Sequence, residues 1–145
     1  MKILVVAVGK VKDRPLREAI DEYAGRLRRH VAVDEIELPD GPPDRVRAGF
    51  EKATREANVV AMEVEGQALG SEAFARLVER LGARGKGTIA FLIGGADGLP
   101  ADVSRAAHAR ISLSPLTFPH RLARLVLVEQ IYRAMTILRG EPYAH

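Results

Sequence analysis

The chain has 145 residues, 47% of them hydrophobic and 28% charged, with a formal charge of +3 and no cysteine. That length suits a single domain, and the absence of thiols excludes disulfides and thiolate chemistry and, with only four histidines, argues against a structural zinc site. The mild basicity is compatible with a nucleic-acid partner without requiring one.

Residues 3–8 form a β-branched apolar run ended by Gly9, which predicts a buried first strand. The run is too short for the apolar core of a signal peptide, and no later stretch approaches the roughly 20 apolar residues of a membrane-crossing helix. A cytoplasmic location and no membrane partner are expected. Apolar positions at Leu16, Ile20, Tyr23 and Leu27 predict a helix over 16–27, with Pro15 at its start. Arg26, Arg28, Arg29 and His30 gather at its end, where cations suit the helix dipole. Val31, Val33, Ile36 and Leu38 predict a second strand, and the Pro- and Gly-rich stretch 39–43 is the strongest loop signal.

A second helix is expected over 46–57 and a third strand over 58–64, stopped at Gly66. Ser71 and Glu72 open a third helix with Phe74, Leu77, Val78 and Leu81 on one face, punctuated by Gly82, Gly85 and Gly87. A fourth strand over 88–93, a short helix over 99–109, a fifth strand through Ile111 and Leu113 and a long helix over 119–138 complete the chain. Alternation of this kind predicts an α/β fold: a mainly parallel sheet with helices on both faces, residues 1–145 making one domain. In the last helix Leu122, Leu125, Val126, Leu127, Val128, Ile131, Tyr132, Met135 and Leu138 spread around much of the circumference. A helix apolar on more than one stripe is buried on more than one side. One side suits the sheet and the other a second copy of the chain, which predicts a homodimer; a central helix buried within one chain is the alternative.

Two strand ends open into unusual loops, Gly94-Gly95-Ala96-Asp97-Gly98 and Ser114-Pro115-Leu116-Thr117-Phe118-Pro119. Ligands of open α/β sheets bind outside the carboxyl ends of the strands, so the two loops predict one shared pocket. Glycine lets backbone approach a ligand closely, yet neither dinucleotide nor triphosphate fingerprint is present. Two prolines stiffen the second loop. Its hydroxyls, carbonyls and apolar side chains suit a flat ring such as adenine. A plain turn and a plain rigid connector are the alternatives. His120, Arg121 and Arg124 at a helix start make a natural phosphate site, although such a histidine is more often a cap or core contact than a base. Glu129, Tyr132 and Arg133 are spaced for contacts within the helix, Gly140 stops it, and Tyr143 and His145 in the tail either cross a pocket or fray.

LIGGADGL, LSPLTFPH and LARLVLVEQIYRAMTILRGEPY, with the opening KILVVAVGKVKD, together resemble the SPOUT-class methyltransferases, most closely the small ribosomal RNA large-subunit methyltransferase H family. The resemblance covers essentially the whole chain. It implies an α/β fold with a deep trefoil knot near the C-terminus, an exception to the rule against knotted chains. It also implies a homodimer that holds S-adenosylmethionine in the knot, needs no metal, and methylates ring nitrogen 3 of a pseudouridine in large-subunit ribosomal RNA. Carried over by motif, the cofactor contacts are Met62, Gly95, Ser114, Pro115, Leu116, Thr117, Phe118 and Pro119. His120, Arg124 and Tyr143 fall near the substrate: Arg124 to supply charge or grip phosphate, His120 or the tail to handle the proton. The family tail usually reads PYH with a little more chain; here Ala144 stands at the histidine position and His145 follows, a departure that bears on any catalytic role for His145. No RNA-recognition signature of the common modules is present, so the expected substrate is a preassembled ribosomal surface, with Lys10, Lys12, Arg14, Arg26, Arg28 and Arg29 as candidate contacts. The alternative from another class is a non-catalytic nucleotide- or RNA-binding α/β module, which would bind without turnover.

Overall fold

The structure is a computed structural model that describes residues 1–143; His145, a candidate from the sequence, lies outside the described residues. Strand and helix alternate throughout: β1 (Lys2–Val8), α1 (Arg14–Leu27), β2 (Ala32–Leu38), α2 (Pro43–Ala53), β3 (Asn58–Ala68), α3 (Ser71–Gly82), β4 (Thr88–Ile93), α4 (Ala101–Ala106), β5 (Ala109–Ser112) and α5 (His120–Arg139). All five strands are parallel, in the order β2-β1-β4-β3-β5. Among the described residues, no helix is long and apolar enough to cross a membrane.

The period-two alternation of strand side chains sorts the core into two layers. Ile3, Val5, Phe91 and Ile89 face α1, α3 and α5 through Ile20, Leu27, Phe74, Val78, Leu127 and Ile131. Leu4, Val6, Ala90 and Leu92 face the smaller helices α2 and α4 through Val46, Phe50 and Val103. β1 and β4 are apolar on both faces because both faces are covered. The last helix lies across the sheet against both α1 and α3, so much of its apolar circumference is used within the chain. Leu122 and Ile137 nonetheless stay exposed on its outer side.

Local chemistry sets the boundaries. Asp13 caps α1 by accepting from the Leu16 N–H at 2.9 Å, so the helix starts at Arg14, two residues before the 16–27 that the periodicity indicates. α2 begins at Pro43 and ends at Ala53 rather than spanning 46–57. The Thr54 hydroxyl donates to the Phe50 carbonyl at 2.8 Å, and Glu56 turns the chain with φ 65. α5 ends where Gly140, at φ 64, donates its N–H to the carbonyls of the last turn.

The third strand does not stop at Gly66. Met62 and Gln67 both lie opposite Ile111 of β5, so residues 63–66 form an excursion before pairing resumes at Ala68 and Ser112. Gly66 makes the return possible. A Cβ there would sit 2.7–2.8 Å from the Arg110 and Ile111 backbone. The excursion pushes Glu63, Val64 and Glu65 out beyond the sheet, at the end where β4 and β5 also release their loops.

Candidate active site

The carboxyl ends of β3, β4 and β5 enclose a cavity of about 320 Å³, lined by Met62, Glu63, Glu65, Ile93, Gly94, Gly95, Gly98, Leu99, Leu113, Ser114, Leu116, Thr117, Phe118 and His120. The size falls within the usual range for small-molecule sites. Both special loops therefore meet in one pocket.

Each wall has a local cause. The 94–98 loop folds back on itself: Gly98, at φ 77, donates its N–H to the Gly95 carbonyl at 3.0 Å. A side chain at Gly94 would run into the Gly98 and Leu99 backbone, whereas one at Gly95 would meet only the Val8 side chain, at 3.3 Å. The opposite wall is a tight turn. The Ser114 hydroxyl accepts from the Leu116 N–H at 2.9 Å, while the Ser112 hydroxyl donates to the Ser114 carbonyl at 3.0 Å. That turn, stiffened by Pro115 and Pro119, leaves the Thr117 and Phe118 amides with no partner among the described residues. They line the cavity together with the apolar side chains of Met62, Ile93, Leu113 and Leu116, the last 74% exposed at the rim.

Met62, Gly95, Ser114, Leu116, Thr117, Phe118 and His120 are thus brought together as the sequence indicates. Pro115 and Pro119 are not on the wall; they hold its shape from behind, Pro119 as the cap of α5. The sequence reading missed Glu63 and Glu65, whose carboxylates give the pocket an acidic side. The signal was present as the pattern Met62-Glu63-Val64-Glu65-Gly66, too polar for a buried strand.

Arg124 corrects an expectation. It is 1% exposed and faces inward, donating to Glu37 at 2.5 Å, to Glu35 at 3.4 Å and to the Gly9 carbonyl at 3.0 Å. Arg17 joins the same cluster at 2.5 Å from Glu35. A guanidinium so engaged cannot also grip a phosphate, since its remaining Nε is buried. It ties α5 to β2 and to the chain just past β1. Arg121 is exposed beside His120 and makes no ion pair among the described residues.

Tyr143 is not in the pocket either. Its hydroxyl donates to Glu129 at 2.8 Å, its ring meets Tyr132 edge-on, and the Arg133 guanidinium covers it at 4.6 Å. Glu129 lies nine residues along α5 from His120, a rise of about 13 Å. Burial first, then hydrogen bonding with Glu129 and Tyr23, pushes the phenol well above its ordinary value. Tyr143 is a donor here and keeps its proton.

The chain matches over residues 1–145 a family described as "Predicted SPOUT methyltransferase". It is 70% identical to the ribosomal RNA large subunit methyltransferase H of Sorangium cellulosum, over all of both chains. It is 40% identical to the protein of the same name from Shouchella clausii, over 99% of each. Among solved structures, a probable methylase family protein from Haemophilus influenzae superposes with a TM-score of 0.59 at 11% identity, over 99% of this chain and 70% of that one. TrmJ from Z. mobilis gives 0.54 at 15%, over 99% and 71%. These distant likenesses speak to the fold alone.

Proposed function

This chain belongs to the SPOUT methyltransferase family, and from that premise we propose that it transfers a methyl group from S-adenosylmethionine to N3 of a pseudouridine in large-subunit ribosomal RNA. The observation that carries this reading is full-length identity of 70% to a ribosomal RNA large subunit methyltransferase H. The pocket supports it on independent grounds. Unpaired amides at Thr117 and Phe118 suit the edge of an adenine ring. Met62, Ile93, Leu113 and Phe118 suit its faces. The carboxylates of Glu63 and Glu65 suit a ligand with sulfonium and ammonium charges. When bound there, S-adenosylmethionine supplies an electrophilic methyl group.

The protein's own work is alignment and proton handling. The nucleophilic nitrogen must sit in line with the methyl carbon and lose a proton, and fixed orientation can supply several kcal/mol of the barrier. His120 lines the pocket and has no hydrogen-bond partner among the described residues, which leaves its imidazole for the imide proton. Arg121 and the start of α5 hold positive charge where a phosphate or imide anion would lie. Tyr143 and His145 serve the pocket of a partner copy, since Tyr143 of the same chain is anchored about 13 Å along the helix from His120. The exposed Leu122 and Ile137 on α5 give such a homodimer its apolar seam. The knotted path near the C-terminus, a cytoplasmic location, the single-domain organisation and the assembled ribosome as substrate belong to the same reading.

The test is incubation with labelled S-adenosylmethionine and ribosomes from cells lacking this protein. Label at N3 of one large-subunit pseudouridine is the expected result. Cofactor binding by calorimetry with no label in any ribosomal RNA would overturn the RNA assignment.

A further inference from the structure

Three of the arginines that the active site leaves unused line one surface groove. Arg76, Arg80 and Arg84 follow one another at four-residue spacing along α3 and just past its end. That spacing puts Arg76 and Arg80 on one face of the helix with a rise of about 6 Å between them, and Arg84 joins the same groove from just past the helix end. All three are exposed, and they form one wall of a groove of about 470 Å³ whose other wall is Gln67, His108 and Ala109 at the β5 edge. The floor is apolar, from Leu69, Leu77, Leu81 and Ile111.

All three are free of ion pairs among the described residues. Arg14, Arg17, Arg26, Arg47, Arg105, Arg124 and Arg133 all have a carboxylate partner. Arg76, Arg80 and Arg84 have none among the described residues, although Glu72 and Glu79 stand on the same helix. His108 adds a donor. Its Nδ1 accepts from the Val59 N–H at 2.9 Å, so Nε2 carries the ring proton toward the groove. A row of unengaged guanidiniums and an N–H donor over a shallow apolar floor fits a polyanion with apolar faces between its charges.

We propose that this groove is an RNA-backbone track, separate from the cofactor pocket, that leads the substrate strand to it. The proposal rests on the RNA reading above. The two sites share their strands: Glu65 lines the pocket and Gln67 the groove, and Leu113 lines the pocket and Ile111 the groove. Two residues of strand separate them, roughly 7 Å. A strand gripped by phosphates at α3 therefore passes over the sheet edge directly to the cavity mouth. The groove has no Phe, Tyr or Trp to stack bases, and its three guanidiniums suit phosphates, so the grip is sequence-independent.

The experiment compares wild type with Arg76→Gln/Arg80→Gln/Arg84→Gln and with a control of equal charge change on the opposite layer, Arg47→Gln/Arg55→Gln/Arg105→Gln. Binding of a short labelled single-stranded RNA is followed by anisotropy from roughly 50 to 200 mM salt. Losing three phosphate contacts should lower the log–log salt slope by about 2 and, at roughly fivefold each near 0.1 M salt, weaken binding about 100-fold. The control should bind within about twofold of wild type, and cofactor affinity by calorimetry should be unchanged in both. On ribosomes the KM should rise with little change in kcat. An unaltered salt slope in the α3 variant, or an equal loss in the control, overturns the proposal. Wild type that binds RNA through this groove but labels no ribosomal RNA sinks the assigned reaction and leaves the track standing.

Discussion

Arg124→Ala is the perturbation that most sharply separates the structural from the catalytic account. The guanidinium is 1% exposed, and Glu35 and Glu37 keep side-chain exposures of only 14% and 27%. Removing one partner of a buried ion pair costs about 3–5 kcal/mol, mainly because the other charge is left behind. Here Arg17 remains 2.5 Å from Glu35 and some water reaches both carboxylates, so the lower end applies, about 3 kcal/mol. For a domain of this size that is a fall in Tm of roughly 6–12 °C. Urea unfolding at fixed protein concentration measures it, with turnover assayed well below the transition. Removing the stranded charge as well, in Glu37→Leu/Arg124→Met, should recover part of the loss, because replacing a buried pair with apolar groups is often neutral. A stability loss below about 1 kcal/mol, together with a collapse in turnover at full cofactor affinity, would refute the buried-strut account and return Arg124 to the substrate.

Other substitutions test the remaining parts. Gly66→Ala forces a methyl into the β5 backbone and should cost about 1–3 kcal/mol and weaken cofactor binding, because the Glu63–Glu65 wall moves; calorimetry and thermal melts read both. His120→Asn should lower kcat by about 100-fold with cofactor affinity kept, and an unchanged kcat would remove it as the proton acceptor. Tyr143→Phe addresses alkaline stability. The phenol's folded pKa is raised, so the unfolded chain gives up this proton first, and stability falls as pH rises from the ordinary value of 10.0. The variant should lose less stability than wild type above that pH in denaturant titrations, and identical alkaline slopes would contradict the burial of the hydroxyl.

Local signals were legible in the sequence and long-range ones were not. The runs at 3–8 and 88–93 announce buried strands because both faces are covered and no polar position interrupts them. The two loops announce a pocket because parallel strands must all end on the same side. Nothing in periodicity says that β4 lies between β1 and β3. In the sequence Gly66 signals a stop, since glycine weakens strands, whereas its missing side chain is what lets β3 return against Arg110 and Ile111. Arg124 was placed by its neighbours His120 and Arg121; its real partners, Glu35 and Glu37, are 89 and 87 residues upstream. The acidic positions of β2 carried that signal only to a reader who already knew which helix would cover them.

The strand order also dictates a folding schedule. As the chain leaves the ribosome, β1 and β2 can pair at once, because a single helix connects them. β3 emerges next and has no partner: its neighbours, β4 and β5, are still to be made. Until residues 88–93 arrive, β1 and β3 each present an apolar strand edge on the side that β4 will fill. Open edges of that kind recruit other chains, and parallel pairings between distant segments form slowly. β4 is thus the keystone of assembly, and the α3–β4 connection sets how long a nascent chain stays exposed to misassociation. Mutations that slow the turn at Gly85 and Gly87 should reduce the yield of folded protein more than they reduce the stability of what does fold.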